Sequence, residues 1–459
     1  MPGFANADYC GFADLLWQGR SSSYPVANVA GDEKTWEDFV RACAGWRALF
    51  QARPEQRFGL FHADTWQFAA ALFGAWNAGK VPILPGDTQP ATVAALAAEV
   101  EAFAGQLPAT LGKPTLAEAV PSGDLGRVSA FDPASVTLGV MTSGSTGTPV
   151  SFPKQLGQLE REVATLESVF GERLGKVRVL GTVSHQHIYG LLFRVLWPLS
   201  AGRTFESEQL FFAEEIVAHA ERAPGVVLVS SPAHLRRLPE SLPVAKRLFR
   251  AVFSSGGPLD FTGALACRDR FGCLPFEIFG SSETGGIAYR ERTEDAAPWT
   301  TLPGVEVAVD VESCLLRVRS PHLADDEWLT TSDRVALLGS GNFELLGRSD
   351  RIVKIGEKRI SLRAVESALT ESELVAEARV VLVQSERDEL CAVVVPSAAG
   401  HALLEREGKI GLNRALKAAA APRVEPIGLP RRFRYLERLP ENSQGKVLEG
   451  ELRALFTGK

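Results

Sequence analysis

The sequence predicts an α/β protein with a large N-terminal domain of helix-covered β-sheets and a small, mobile α+β C-terminal domain. Three observations predict it. Short apolar strands alternate with amphipathic helices from about residue 57 to 280, the pattern of a parallel, helix-covered sheet. From about Trp299 the texture changes to short alternating segments, so the part at about 300–349 is β-rich. A charged stretch at 347–360 then reads as a hinge or linker hairpin and leads into residues 361–459, a small unit of helices and strands. The expected division is 1–349 and 350–459. A chain of 459 residues is too long for one core, and roughly two or three domains are expected.

Taken in order, residues 1–50 read as helical and peripheral, with Trp36, Phe39, Val40, Cys43, Trp46 and Leu49 at helical spacing. Residues 57–61 read as a strand ending at His62, 63–78 as a helix and 81–85 as a strand closed by Gly86 and Asp87. Residues 91–103 are again helical. His62 stands at a strand end without a visible partner and is read as structural. Strand 135–140 leads to a Ser/Thr/Gly loop, and 156–170 is an amphipathic helix. Residues 178–183 form a strand running into Ser184-His185-Gln186-His187-Ile188-Tyr189-Gly190, which reads either as a pocket wall or as a polar loop with a packed Tyr, and an apolar helix begins at Leu191. His185 and His187 alone are too few for a metal site. Strands at 226–232, 251–257 and 275–280 each end in small or glycine-rich residues, where ligands bind in an open α/β sheet. In the C-terminal part, 362–369 and 409–421 read as helices, and 377–384, 391–396 and 430–436 as strands. Residues 440–447 read as an exposed loop.

Composition is that of an ordinary globular protein, 45% hydrophobic and 23% charged. The net charge of -6 argues against a broad nucleic-acid surface. No apolar run approaches the ~20 residues that span a bilayer. Residues 1–8 lack the basic start and apolar core of a signal peptide. Cys10, Cys43, Cys267, Cys273, Cys314 and Cys391 are scattered, with no C-x-x-C pair, so neither a zinc site nor a disulfide framework is indicated. A reducing cytoplasm is the expected compartment.

The stretch that carries chemistry is Thr142-Ser143-Gly144-Ser145-Thr146-Gly147, with four hydroxyl side chains and two glycines in six residues. Glycine lets the backbone turn through φ > 0 and approach another group, and successive inward N–H groups make an anion nest. Two readings stand on the residues alone: a polyphosphate-holding loop, or a Ser/Thr/Gly-rich surface turn.

The ordered set of motifs resembles the adenylate-forming superfamily of acyl- and aryl-CoA synthetases, peptide-synthetase adenylation domains and luciferases. Thr142 to Pro149 resembles its phosphate loop, and His187-Ile188-Tyr189-Gly190 the segment beside the acyl pocket. Ser255-Gly256-Gly257-Pro258 resembles the turn that packs on adenine. Phe279-Gly280-Ser281-Ser282-Glu283 resembles the segment whose hydroxyl meets the α-phosphate and whose Glu binds Mg²⁺. Thr331-Ser332-Asp333 and Gly347-Arg348-Ser349-Asp350 resemble the ribose contacts and the hinge, and Gly445-Lys446 the catalytic lysine motif. The resemblance implies ATP, Mg²⁺ and a carboxylic acid as reactants. It implies Lys446, Glu283, Ser282 and Arg348 as catalytic residues, and His187, Tyr189 and Gly190 as acid-pocket residues. The nucleotide contacts would be the loop together with Ser255, Gly256, Gly257, Phe279, Gly280, Asp333 and Arg348. The acid would become an acyl-adenylate. The C-terminal domain would then swing about Asp350, and a thiol of CoA or of a carrier protein's phosphopantetheine would displace AMP. A degenerate nucleotide-binding regulator and a non-thiol acceptor are the competing functions.

The chain departs from the family pattern in places. Val150 stands where many relatives carry Lys, and Lys154 is the candidate replacement for the phosphate contact. Ser332 replaces a common Gly, and the hinge hairpin has Gly356 one place early. The short chain is similar to the stand-alone synthetases of aryl-polyene-type clusters, which implies an aromatic or β-hydroxyacyl acid, or a medium acyl chain, and an acyl carrier protein partner. Arg431, Arg432 and Arg434 form a basic cluster, read either as a docking patch for carrier protein or CoA phosphates or as a solvated strand edge.

Overall fold

Val226–Ser230 is an unbroken apolar strand because both of its faces are covered. Val227 and Val229 enter one hydrophobic core and Val226 and Leu228 another. It lies inside a thirteen-stranded mixed sheet of a computed structural model that describes residues 6–108, 112–123, 130–143, 149–223, 225–355, 358–383, 388–424, 426–441 and 447–457. The parallel part of that sheet runs Pro25–Val29, Thr204–Glu206, Arg178–Gly181, Val226–Ser230, Phe249–Ser254, Phe276–Ser281. Beyond Phe276–Ser281 the pairing turns antiparallel through Gly285–Glu291, Trp299–Thr301, Asn342–Arg348, Leu329–Gly339, Leu315–Arg319 and Glu306–Val309. These later strands make the β-rich part around Phe343, Trp299 and Leu316.

A six-stranded sheet faces the first one, in the order Thr115–Leu116, Ala102–Gly105, Arg57–Phe61, Val81–Leu84, Thr137–Ser143, Pro149–Gln155. The two sheets share one core. Leu60, Leu84 and Val140 of the smaller sheet meet Val179, Val227 and Phe253 of the larger through the helices Trp36–Gln51, Thr65–Asn77 and Leu156–Leu174. Thr35 starts the first of these helices with a capping box: its Oγ accepts from the Asp38 N–H, and Asp38 accepts from the Thr35 N–H.

The C-terminal part is a three-stranded sheet, Val375–Val383, Glu389–Pro396 and Arg432–Tyr435. Helices Leu362–Thr370 and Ala398–Ala420 cover one face, and Glu449–Thr457 covers the other. Ala398–Ala420 is broken at Gly408, whose φ is 68°.

Several expectations change. The first fifty residues are not simply helical, because Pro25–Val29 and Asp32–Thr35 form a hairpin that joins the large sheet beside Thr204–Glu206. Residues 91–103 divide into the helix Pro90–Glu99 and the strand Ala102–Gly105, so Phe103 is a buried strand residue. Pro149–Gln155 is a strand, and the apolar helix starts at Ile188 rather than Leu191, with a π-helical turn at Leu192–Leu196. The basic cluster is tied down: Arg432 pairs with Glu389 and donates to the Phe456 carbonyl, Arg434 donates to the Leu455 carbonyl, and both guanidinium groups lie over the Phe456 ring. No helix among the described residues is long and apolar enough to cross a membrane.

Candidate active site

Three parallel strands that end in small residues are neighbours in the sheet: Val226–Ser230, Phe249–Ser254 and Phe276–Ser281. Their carboxyl ends lead into Ser231-Pro232, Ser255-Gly256-Gly257 and Ser282-Glu283. The middle turn needs glycine, since Gly256 has φ +89°. Gly256 and Gly257 are exposed, and Ser255 Oγ donates to the Ile278 carbonyl at 2.9 Å, which pins the turn to the next strand.

The Glu283 turn is fixed on every side except at its carboxylate. The Ser281 N–H donates to Thr284 Oγ1 at 3.0 Å, and the Thr284 N–H donates to Ser281 Oγ at 3.2 Å. A β-carbon on Gly280 would fall 2.3 Å from the Gly285 carbonyl oxygen, so the strand crossing requires glycine there. The Gly286 N–H donates to Glu162 Oε1 at 2.7 Å, and His322 Nδ1 lies 2.9 Å from the Gly286 carbonyl. Lys154 Nζ donates to the Glu283 carbonyl at 3.1 Å. Ser282 is half-buried and Glu283 is exposed.

Lys154 therefore does not sit where a replacement loop lysine would. It pairs with Leu138, at the end of the Thr137–Ser143/Pro149–Gln155 hairpin away from the loop. Five residues of extended strand, about 17 Å, separate it from Pro149. It is 2% exposed, and burial pushes its ammonium down while Glu162 and Glu283 oppose the shift. Phe279, expected among the nucleotide contacts, turns its ring away into the β-rich core, with Trp299 at 5.4 Å and Phe343 at 5.9 Å between centroids.

Asp333 and Arg348 are cross-strand partners on Leu329–Gly339 and Asn342–Arg348, and their charged groups approach to 3.7 Å. The Asp333 N–H donates to Thr331 Oγ1 at 3.1 Å.

In the acid-pocket segment, His187 is the N-cap of the short helix Ile188–Leu191. A β-carbon on Gly86 would fall 2.4 Å from His187 Cε1, so the end of Val81–Leu84 closes against this histidine. The Tyr189 ring lies 4.8 Å from Phe193, which meets Phe253 at 5.1 Å. Burial holds the Tyr189 phenol well above its ordinary range, with the Ser230 backbone opposing, so it remains a neutral hydroxyl. Gly190 has a packing reason of its own: a β-carbon there would meet the Ser184 carbonyl at 2.0 Å. His185 is buried structure, 3.0 Å from Thr65 Oγ1 and 2.8 Å from the His62 carbonyl. His62 is buried with its ring edge-on to Trp46.

Gly144, Ser145, Thr146, Gly147 and Lys446 lie outside the described residues. The backbone of Thr142 and Ser143 ends the Thr137–Ser143 strand, and Ser143 pairs with Pro149 across the hairpin. The segment with Lys446 is bracketed by an isolated antiparallel bridge between Glu441 and Val447. Glu441 pairs with Arg237 at 3.0 Å, just beyond the helix Pro232–Leu235 that follows one of the three strand ends. Asp350 lies in the single turn Ser349–Arg351. Arg348 belongs to the sheet before it, while Arg351 is held by Glu366 and Glu449 of the C-terminal helices.

Sequence reasoning missed Glu162, His322, Gly86 and the Arg237–Glu441 pair. Glu162 left a signal, a carboxylate on the same helix face as Leu159, Val163 and Leu166. Gly86 left a weaker one, a glycine at the carboxyl end of a strand. The other contacts join segments distant in sequence.

Among the described residues, no group of three or more His, Cys, Asp or Glu side chains could hold a metal ion. The exposed Glu283 carboxylate fits Mg²⁺ in a different way, because Mg²⁺ takes one or two protein carboxylates and completes its shell with phosphate oxygens and water.

Comparison with known proteins makes this chain an AMP-forming ligase. The chain belongs to the AMP-binding enzyme family, the adenylate-forming enzymes: its residues 25–319 match the family model AMP-binding enzyme, and 364–446 match the AMP-binding enzyme C-terminal domain. It is 31% identical over 315 residues to a 4-coumarate–CoA ligase of Cereibacter sphaeroides, covering 67% of this chain and 69% of that one. It is 28% identical over 302 residues to a p-hydroxybenzoic acid–AMP ligase of Mycobacterium marinum, covering 59% of this chain and 42% of the relative. In fold it is similar to ATP-bound MatB from Rhodopseudomonas palustris, with a TM-score of 0.81, 18% identity, and 98% of this chain and 99% of that one covered.

Proposed function

We propose that the protein activates an aryl carboxylic acid with ATP to an acyl-adenylate and then transfers the acyl group to a thiol, releasing AMP. The observation that carries this reading is the bond from Lys154 to the Glu283 carbonyl. It ties the hairpin that carries the Ser/Thr/Gly loop, at its end away from the loop, to the turn bearing the exposed carboxylate, which supports reading the two segments as parts of one site. In this reading Thr142, Ser143, Gly144, Ser145, Thr146 and Gly147 hold the β- and γ-phosphates. Ser255, Gly256 and Gly257 offer a flat surface to adenine, Gly280 leaves room beside it, and Ser282 donates to the α-phosphate. Asp333 accepts from the ribose hydroxyls, and Arg348 donates to the same sugar. Glu283 would hold Mg²⁺, which when bound neutralises phosphate charge. Lys446 would lie between the attacking carboxylate and the α-phosphate, where a compact cation offsets the charge that the two anions bring together. The hinge role of Asp350, with domains at 1–349 and 350–459, is supported by its place between Arg348 and Arg351, which belong to opposite units.

The names of the relatives, a 4-coumarate ligase and a p-hydroxybenzoic acid ligase, favour an aryl acid. A β-hydroxyacyl or medium acyl acid is the second substrate class, as in the aryl-polyene-type synthetases. The thiol is that of CoA, as the first relative's name suggests, or the phosphopantetheine of an acyl carrier protein. The experiment is acid-dependent exchange of pyrophosphate into ATP across aromatic, β-hydroxy and straight-chain acids, followed by a comparison of CoA with phosphopantetheinylated carrier protein. Exchange with aromatic acids and thioester formation on either acceptor is expected. Tight ATP binding with no exchange on any acid would replace this reading with a nucleotide-binding regulator, and exchange with no thiol product would point to a non-thiol acceptor.

A further inference from the structure

We infer that Lys154 is a positioning residue for the cation that accompanies ATP, acting through the backbone of Glu283 rather than by touching phosphate. The inference rests on the proposed function for the identity of the nucleotide site. Lys154 is a buried ammonium that donates to a main-chain carbonyl, that of Glu283 at 3.1 Å. Placing a lysine head in the interior is costly unless its charge is compensated. The compensation here comes from the Glu283 carbonyl, the Phe152 ring 5.6 Å from Nζ, and the nearby Glu162 and Glu283 carboxylates.

The same turn is gripped one step further along. Glu162 accepts from the Gly286 N–H, and His322 Nδ1 meets the Gly286 carbonyl. His322 is itself held, since its carbonyl accepts from Gln158 Nε2 at 3.0 Å and its Nε2 lies 3.2 Å from Thr165 Oγ1. Gln158, Glu162 and Thr165 all lie on the helix Leu156–Leu174, which starts immediately after the strand that carries Lys154. One continuous piece of chain, strand plus helix, thus holds the backbone at Glu283 and at Gly286 three residues on, while the Glu283 carboxylate stays exposed. A cation ligand carried on a turn needs such outer support to keep its oxygen in place.

The test reads cation affinity rather than turnover. The full-length protein is titrated with Mn²⁺ in the presence of αβ-methylene-ATP, free Mn²⁺ is followed by EPR, and binding of the analogue without cation is measured in parallel. Lys154→Met keeps the length and apolar stem and removes the donor. It is expected to weaken Mn²⁺ binding by about tenfold, the low end for loss of an outer-shell partner, while cation-free binding of the analogue stays within about twofold. Equal loss with and without cation would mean that Lys154 contacts the nucleotide or merely supports the fold, and would overturn the inference, as would unchanged Mn²⁺ affinity. If Lys154→Met does not fold, Glu162→Gln decides. It keeps an oxygen for the Gly286 N–H but removes the carboxylate charge near Lys154, and about a threefold loss confined to the cation-dependent arm is expected. No change, or equal loss in both arms, overturns the inference. Because no acid is present, wild-type protein that lacks acid-dependent exchange would count against the proposed function and leave this cation comparison readable.

Discussion

Asp333 and Arg348 stand directly opposite one another on adjacent antiparallel strands, with the guanidinium 3.7 Å from the carboxylate. Asp333 is largely covered and Arg348 half exposed, at 17% and 51% of their side-chain surfaces. The strands hold both groups at fixed spacing, so a sugar placed against the pair would find an acceptor and a donor already oriented. Asp333→Asn is expected to raise the KM for ATP by roughly 10- to 100-fold, the loss of a hydrogen bond to a charged group. Arg348→Met should act in the same direction. The double variant should cost less than the sum, because the two groups interact across the strands and each single change already removes that interaction. ATP-dependent exchange kinetics on the three variants checks this, and simple additivity would show that the two residues serve different parts of the ligand.

Lys446→Ala is expected to separate the two half-reactions. Removing a cation that offsets charge only as the adenylate forms should slow acid-dependent pyrophosphate exchange by about 100-fold or more. Thiolysis of a synthetic acyl-adenylate should stay within about threefold, since the proposed swing about Asp350 takes the lysine out of the site for that step. Exchange and single-turnover thiolysis are measured on the same preparation. Equal losses in both would count against a role confined to adenylation.

The pair Arg237–Glu441 joins the edge of the three strand ends to the flank of the segment containing Lys446. Arg237 is exposed at 61% of its side-chain surface, so the pair is a weak clasp, worth about 0.5 kcal/mol or less and sensitive to salt. Arg237→Glu should therefore lower exchange by only about two- to threefold at low ionic strength, with the deficit vanishing near 1 M salt. The charge-swapped pair Arg237→Glu with Glu441→Arg should recover most of it. Exchange rates across a salt series check the coupling, and a deficit that ignores salt would argue for lost packing instead.

Much of the candidate site was legible because its residues fall in short segments of restricted composition. The turn at Gly256 and the Glu283 segment stand at the ends of strands that the apolar pattern marks, and Arg348 ends Asn342–Arg348, whereas Asp333 lies within Leu329–Gly339 opposite it. What was not legible depends on distant pairing. The Asp32–Thr35 strand is polar, and its partner Pro25–Val29 joins the sheet only through Thr204–Glu206. Pro149 and Pro153 disguised a strand, yet Pro149–Gln155 lies at the edge of its sheet, where a missing N–H is tolerated. Lys154 read as a loop residue because sequence distance ties it to Val150, whereas the fold carries it to Glu283, 129 residues away. Phe279 shows the converse: it belongs to the same motif as Ser282 and Glu283, yet strand alternation sends its ring into the core.

Acid should weaken the N-terminal core through its buried histidines. Burial lowers His62 from 6.5 to about 4, and His185 shifts in the same direction by burial and by the neighbouring Arg194. A histidine whose folded pKa is depressed is kept neutral by the fold, so the unfolded chain binds the extra proton. Its contribution is intact above about pH 6.5 and is lost progressively as pH falls toward 4. For His62 alone this makes unfolding easier by about 2 kcal/mol at pH 5 than at pH 7.5. His185 adds to the same slope. His62→Phe, which retains a ring beside Trp46, should flatten this part of the pH dependence even if it lowers stability at pH 7.5. Urea unfolding at the two pH values, wild type against variant, gives the comparison. An unchanged slope would mean that His62 is not neutralised by the fold and that the acid sensitivity arises elsewhere.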